Sequence, residues 1–247
     1  MSPLLRIKVT MSIHNTINPV SLEAAAGIVE AIRSRRSVRA YLPKTVPEAV
    51  LHELLALGRH APSGSNIQPW QVAVLTGATL QRVGEAIRRA FLNDEPGHRR
   101  DYNYYTDPIV EPYLARRRAC GWGLYGTLGI GKGDVEKSRA YRAQNYVFFG
   151  APAGLVFTID RDLEKGSWLD YGMFLQTLML GARAFGLHTC AEASIASYPD
   201  IVRRELRLGD NQVVICGMAL GYADSSAAVN TFQPERIPLD EYVRFYD

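Results

Sequence analysis

The spacing of apolar residues divides the chain into helical and extended stretches. Ser21 reads as an N-cap, and the helix behind it has Ala24 to Ala26, Ile28, Val29 and Ile32 as its apolar positions. Pro47 opens a second helix, with Val50, Leu51, Leu54, Leu55 and Leu57 spaced to face inward and Gly58 near the end. QVAVLT, Gln71 to Thr76, is a short β-branched run stopped by Gly77 and predicts a strand. Helical spacing returns from Thr79 to Ala90 and again from Asp134 to Phe149. GLVFTI, Gly154 to Ile159, predicts a buried strand, and Trp168 to Phe185 a long apolar helix stopped by Gly186. A short amphipathic helix follows from Pro199 to Leu206, then a third strand, QVVICGMAL, from Gln212 to Leu220. The tail carries Pro234, Pro238 and a short β-like run, Tyr242 to Tyr246.

Two regions fall outside this pattern. Residues 1–20 read as a loose arm. From 95 to 133 the chain is aromatic, basic and Gly-rich with no clean period, which predicts an insertion or lid, since long irregular segments in compact domains tend to be functional. Residues 21–247 are then one α+β domain with a small central sheet, with no repeat.

Composition narrows the function classes. Apolar residues make up 47%, enough to exclude a disordered chain. A net charge of +3 gives no case for nucleic acid or an anionic membrane as partner. Cys120, Cys190 and Cys216 are far apart and odd in number, which favours a reducing compartment over a disulfide framework. The longest apolar stretch, Trp168 to Leu187, carries Asp170, Gln176 and Arg183 and so reads as a buried helix, not a membrane span. With no signal-like apolar run at the N-terminus, a cytoplasmic protein is expected.

Most familiar catalytic signatures are missing. GTLGIGKG, Gly126 to Gly133, matches GxxxxGK but has Gly133 where a magnesium-binding hydroxyl is needed and no strand before it, so Lys132 is expected to be solvated. There is no GxGxxG after a strand and no GxSxG elbow. The histidines (14, 52, 60, 98 and 188) form no ligand spacing, so no metal is expected, and His52 and His60 read as surface residues.

Two segments carry a positive signal. Arg35-Arg36-Ser37-Val38-Arg39 gathers three guanidiniums and a hydroxyl, the groups that hold a phosphate; a solvated basic helix end accounts for them equally well. Ala61-Pro62-Ser63-Gly64-Ser65-Asn66-Ile67-Gln68-Pro69-Trp70 is a tight turn with exposed backbone, and the amides of Asn66 and Gln68 suit a heteroaromatic edge. Trp70 reads as a core residue beside the sheet.

Together RRSVR, VPEAVLHELL and APSGSNIQPW, in this order and at this spacing, resemble the N-terminal signature of the FMN-dependent nitroreductase family. Further along, GLHTCAEASIASYPDIVRREL resembles the family segment whose backbone lies against the flavin. GMALGYAD with Asn230 and PERIPLDEYV resembles its C-terminal signature, and EPYLARRRACGWGLYGTLGIGKGD its longer, nitrobenzoate-reducing members. The resemblance spans nearly all of residues 28–247. It implies a small, mainly antiparallel sheet surrounded by helices in an intertwined homodimer, with two FMN sites built from both chains. By motif, Arg35, Arg36, Ser37, Arg39 and Arg236 would hold the phosphate and ribityl chain. Pro62, Ser63, Gly64, Ser65, Asn66 and Gln68 would line the flavin of the partner's site. Ala191, Glu192, Ala193 and Ser194 would present a backbone N–H to the ring. Where some members carry Lys-x-Arg near the C-terminus, this chain has Pro234, leaving Arg236 as the sole cation there.

The implied activity is transfer of electrons from NAD(P)H through FMN to a nitroaromatic or quinone-type acceptor, with no catalytic acid or base from the protein. Tyr102, Tyr104, Tyr105, Trp122 and Tyr125 are candidates for stacking on that small aromatic acceptor, and Arg116, Arg117 and Arg118 either attract a carboxylate or form a solvated face. Reductive dehalogenation or dehydrogenation on the same scaffold, or flavin binding without turnover, are the alternatives.

Overall fold

The computed structural model describes residues 20–247. The chain divides into two units, residues 1–34 and 35–247. In the first, the described part is helix α1, Leu22–Ser34, capped by Ser21, whose Oγ accepts the Ala24 N–H at 3.2 Å. No residue of α1 is buried, and Ile28, Val29 and Ile32 stay about half exposed. The predicted arm lies outside the described residues, apart from Val20.

The second unit is built on a four-stranded sheet: β1, Gln71–Thr76; β2, Ala153–Asp160; β3, His188–Glu192; and β4, Gln212–Gly221. Every pairing is antiparallel, in the order β1-β2-β4-β3, which puts β1 and β3 at the edges. The two central strands are covered on both faces, which is why their sequences are continuous apolar runs instead of alternating ones. Leu155, Phe157 and Ile159 of β2 pack with helices α2, Glu48–Gly58, and α6, Lys165–Ala184. On the other face Val156 and Val214 pack with α3, Gly77–Leu92, and α7, Pro199–Leu206. Gly58 lets α2 close on α6, since a Cβ there would stand 2.6 Å from a methyl of Leu178. Trp70 lies flat on Phe174, with ring centroids 4.7 Å apart, at the margin of this core.

Elsewhere the structure departs from the sequence reading. Within 95–133, residues Tyr113–Thr127 form a helix, α4, which buries none of its residues; an unburied helix needs no apolar stripe, so periodicity missed it. The 134–149 helix is α5, Val135–Ala143, followed by a 3-10 segment, Gln144–Gly150, in which Phe148 and Phe149 take left-handed angles. Strand β3 was not foreseen. Nor is the tail a strand: Pro238 leads into a short helix, α8, Leu239–Tyr242, whose first turn holds Asp240 and Glu241, a placement the helix dipole favours. Leu57 of α2 is 39% exposed instead of facing inward.

Candidate functional site

Residues 37–42 pass from the free edge of β3 to the chain that leaves β4. Ser37 bridges Thr189 in parallel, the Val38 N–H donates to the Thr189 carbonyl at 3.1 Å, and Leu42 N–H donates to Tyr222 at 2.9 Å. Val38 is buried, so the alternation of an extended chain turns Ser37 and Arg39 away from it. Asn230, itself buried, fastens the segment: its Oδ1 accepts the Arg39 N–H, and its Nδ2 donates to the carbonyls of Ala40 and Asp224, each at 2.8 Å. The Asn230 carbonyl in turn accepts from Arg36 at 3.4 Å.

This fastening gathers cations. Burial lowers the Arg35 guanidinium below its ordinary pKa, and the neighbouring Arg236 lowers it further. The Arg39 guanidinium donates to the Ser37 carbonyl at 3.3 Å and lies 6.0 Å over the Phe149 ring. Among the described residues none of Arg35, Arg36, Arg39 and Arg236 pairs with a carboxylate, although seven other arginines do. Guanidiniums assembled without counter-ions are suited to an anion such as a phosphate.

Beside them, the end of β3 holds polar atoms without partners. Thr189 Oγ1, Ser194 Oγ and both carboxyl oxygens of Glu192 are buried and accept or donate no hydrogen bond. Burial drives the Glu192 pKa well above the carboxylate range, against the opposing pull of Arg39. Burial also pushes the Cys190 thiol up to about 12. Ala191 is exposed and Ala193 half-buried in the same stretch.

The loop after α2 is held from beneath. Asp170 of α6 accepts the Gly64 N–H at 3.1 Å, Ser63 Oγ accepts the Gln68 N–H at 3.0 Å, and Gln68 Nε2 donates to the Asn66 carbonyl at 3.2 Å. Ser65, Asn66 and Gln68 have φ of 50°, 58° and 52°, angles that L residues seldom adopt, and their side chains are exposed, as is Pro62. Among the described residues no hydrogen bond, ion pair or ring contact joins this loop to Arg35–Arg39.

The aromatic residues predicted for a substrate wall form two groups. Trp122 and Tyr125 of α4 begin a series of neighbouring rings that continues through Tyr141 to Phe149, at 6.5, 6.2 and 6.1 Å, and ends under Arg39. Tyr102 is instead drawn inward, its hydroxyl donating to the Ile215 carbonyl and its ring 4.7 Å from Trp168. Tyr104 and Tyr105 stack edge to face, and Arg117 lies 5.0 Å over Tyr105. Arg117 lines both a cleft of about 450 Å³ beside Tyr105 and one of about 230 Å³ beside Trp122 and Tyr125, which Arg118 shares. Arg116 pairs with Glu241 at 3.4 Å. The base of this region is anchored by Asp101, which accepts from Arg203 at 2.7 Å and from Arg161 at 3.3 Å. Sequence reading missed Tyr141, Phe149 and Asp101. The first two lie in a segment read only as helix, and no motif singles out a lone aspartate.

Gly126–Gly133 closes α4 and follows no strand, with Lys132 exposed. No group of metal-ligating side chains occurs among the described residues. The three cysteines are free, Cys120 exposed and the others buried. No described helix is long and apolar enough to cross a membrane.

Comparison with known proteins agrees with this architecture. The nitroreductase family model matches residues 32–222. The chain is 41% identical to 4-nitrobenzoate reductase of Pseudomonas putida over 87% of its length and 93% of that protein's. It is 38% identical to chloronitrobenzene nitroreductase of Comamonas testosteroni, covering 88% and 96% of the two chains. The crystal structure of the FMN-dependent nitroreductase NfnB from Mycobacterium smegmatis in complex with NADPH superposes with a TM-score of 0.86 at 34% identity, covering 91% of this chain and all of that one. Motifs, fold and relatives coincide: the chain belongs to the nitroreductase family.

Proposed function

We propose that the protein is an FMN-dependent NAD(P)H oxidoreductase that reduces nitroaromatic or quinone-type acceptors. The observation that carries this reading is the set of four arginines without counter-ions beside the unpartnered polar end of β3. A phosphate fits the first and a hydrogen-bonding ring the second. Arg35, Arg36, Arg39 and Arg236 would hold the FMN phosphate with Ser37, and Ala191–Ser194 would face the ring. Bound FMN would supply the redox chemistry, taking a hydride from the nicotinamide and passing electrons to the acceptor. The protein's own part is anchoring, orientation and exclusion of water. Trp122 and Tyr125, joined to Arg39 through Tyr141 and Phe149, would hold an aromatic acceptor flat at low entropic cost.

The site is proposed to be shared by two chains in a homodimer, with the partner's Pro62–Gln68 loop completing it. The outward-facing side chains of that loop, the unburied α1 and a tail with Phe245 and Tyr246 86% and 92% exposed all support an intertwined assembly. Free cysteines fit a cytoplasmic setting.

Purified protein should be yellow, release FMN on acid treatment, bleach anaerobically with NADPH or NADH, and recover colour with 4-nitrobenzoate. Light scattering should give about twice the 27.5 kDa chain mass. A colourless protein that takes up no FMN, or a flavin-loaded monomer, refutes the shared-site reading.

A further inference from the structure

Glu192 is the last residue of β3, opposite Gly217 of β4, and only 2% exposed. Neither carboxyl oxygen has a hydrogen-bond partner. Folded proteins leave few buried polar groups in that condition, so each calls for an explanation. The charged and titratable groups facing it are Arg39 and Tyr41 of the edge segment, Cys190 of its own strand and Cys216 of β4. Burial keeps both thiols neutral, up to about 12, and raises the Tyr41 hydroxyl as well. Among the described residues Arg39 is therefore the one ion beside Glu192, and its guanidinium is turned to the Ser37 carbonyl and the Phe149 ring. Burial without a partner favours the neutral form of this carboxyl, which has one O–H to donate and a carbonyl to accept.

Resting on the FMN reading above, we propose that the Glu192 carboxylic acid makes its missing hydrogen bonds to the ring of bound flavin and acts as a positioning residue that favours the reduced ring. The edge of a flavin ring alternates imine nitrogen, carbonyl oxygen and N–H, so a neutral acid can donate and accept there, whereas a carboxylate can only accept. Reduction makes the ring richer in electrons, and a donated O–H then strengthens. An ionised carboxylate at the same place would oppose reduction. Ser194 Oγ, unpartnered two residues on, lies in the same stretch.

The decisive comparison is between wild-type, Glu192→Gln and Glu192→Leu. For each, the Kd of FMN for the stripped protein is read from flavin fluorescence, the midpoint potential by equilibration with reference dyes, and the carboxyl band by reduced-minus-oxidised infrared difference. Glutamine keeps a donor and an acceptor, so FMN affinity should stay within threefold and the potential close to wild-type. Leucine keeps neither, so affinity should fall at least tenfold and the midpoint potential should drop. Wild-type should show a protonated carboxyl band that responds to reduction and is absent from both variants. An ionised carboxyl in the wild-type holoprotein, a leucine variant with unchanged affinity and potential, or a glutamine variant shifted as far as the leucine one overturns the inference. Wild-type protein that takes up no FMN overturns the functional reading instead. Should the leucine variant fail to fold, the infrared band and the glutamine variant still decide.

Discussion

Replacing Asn230 by Ala should loosen the cationic segment without touching a cation. The side chain makes three hydrogen bonds of 2.8 Å, to the Arg39 N–H and to the carbonyls of Ala40 and Asp224. Alanine leaves the Arg39 N–H without a partner and takes one of two donors from each carbonyl, since Ala40 still accepts from the Asp224 N–H at 3.0 Å and Asp224 from the Ala227 N–H at 3.4 Å. At about 1 kcal/mol net for each of the three hydrogen bonds lost, the loss is about 3 kcal/mol. For a domain of this size each kcal/mol moves Tm by about 2–4 °C, so the midpoint should fall by about 6–12 °C. Asn230→Asp tests the same account differently. It keeps the acceptor for Arg39 but sets a carboxylate against two carbonyls, so it should be at least as destabilising as alanine although it is nearly isosteric. Thermal and urea denaturation of the FMN-free proteins would give both values, and FMN titration would show whether a loosened segment binds more weakly. A loss under about 1 kcal/mol for alanine, or an aspartate variant as stable as wild-type, would show that the segment is held by the β3 edge alone.

Other outcomes follow from the same geometry. Arg35→Ala or Arg39→Ala should weaken FMN binding by about 2 kcal/mol or more, roughly thirtyfold, as for a desolvated ion pair cut in half, whereas Arg117→Ala should cost about 1 kcal/mol or less; equal retention in all three would make the cluster a solvated patch. Burial alone would raise the Asp101 carboxyl, but Arg203, Arg161 and the Val214 N–H outweigh it and hold its pKa below 3.8. Its stabilisation is therefore fully present above that value and is lost as pH falls through the lower folded-state value, so the Tm deficit of Asp101→Asn should be largest near neutrality and shrink toward pH 3; a deficit independent of pH refutes the ion-pair account. Trp122→Ala and Tyr125→Ala should slow stopped-flow reoxidation by a nitroaromatic while leaving FMN retention unchanged; the reverse pattern would make both rings structural.

How much of this was legible in the sequence depended on burial. Strands β1, β2 and β4 were readable because two are sealed on both faces and the third ends at Gly77, so their residues had to be apolar and bounded. Strand β3 was not, because the polar His188, Thr189 and Glu192 break any apolar run, and an edge strand is under weaker compositional constraint. The same cause hid α4: it buries nothing, so its composition follows the cleft and not a core. The Arg35–Arg39 cluster was visible as chemistry but ambiguous between anion site and solvated helix end. What bears on the choice is the absence, among the described residues, of any carboxylate partner, a fact of three dimensions. Tyr102 shows the opposite case, an aromatic that composition grouped with the cleft and that the fold ties to β4 and Trp168.

The places where this chain breaks local rules fall into a pattern. Among the described residues, seven non-glycine residues have positive φ. Arg207 ends α7 as a left-handed cap and Asp94 follows the end of α3, so both belong to ordinary helix termination. The other five are Ser65, Asn66 and Gln68 in the exposed loop, and Phe148 and Phe149 beside Arg39. At about 1 kcal/mol each they store about 5 kcal/mol, comparable with the net stability of many domains, and such strain persists where surrounding structure or function demands it. For the two phenylalanines the surrounding structure is visible, since both are buried against the sheet. For the loop it is not: Asp170 and Ser63 hold its backbone, but its strained residues are exposed and, among the described residues, make no hydrogen bond, ion pair or ring contact with the cation segment of their own chain. Strain displayed on a surface is explained by whatever later covers that surface. Under the proposed shared site, a loop shaped in advance for a second chain would have this character, and recognition of the flavin, like its binding, would rest with two protomers.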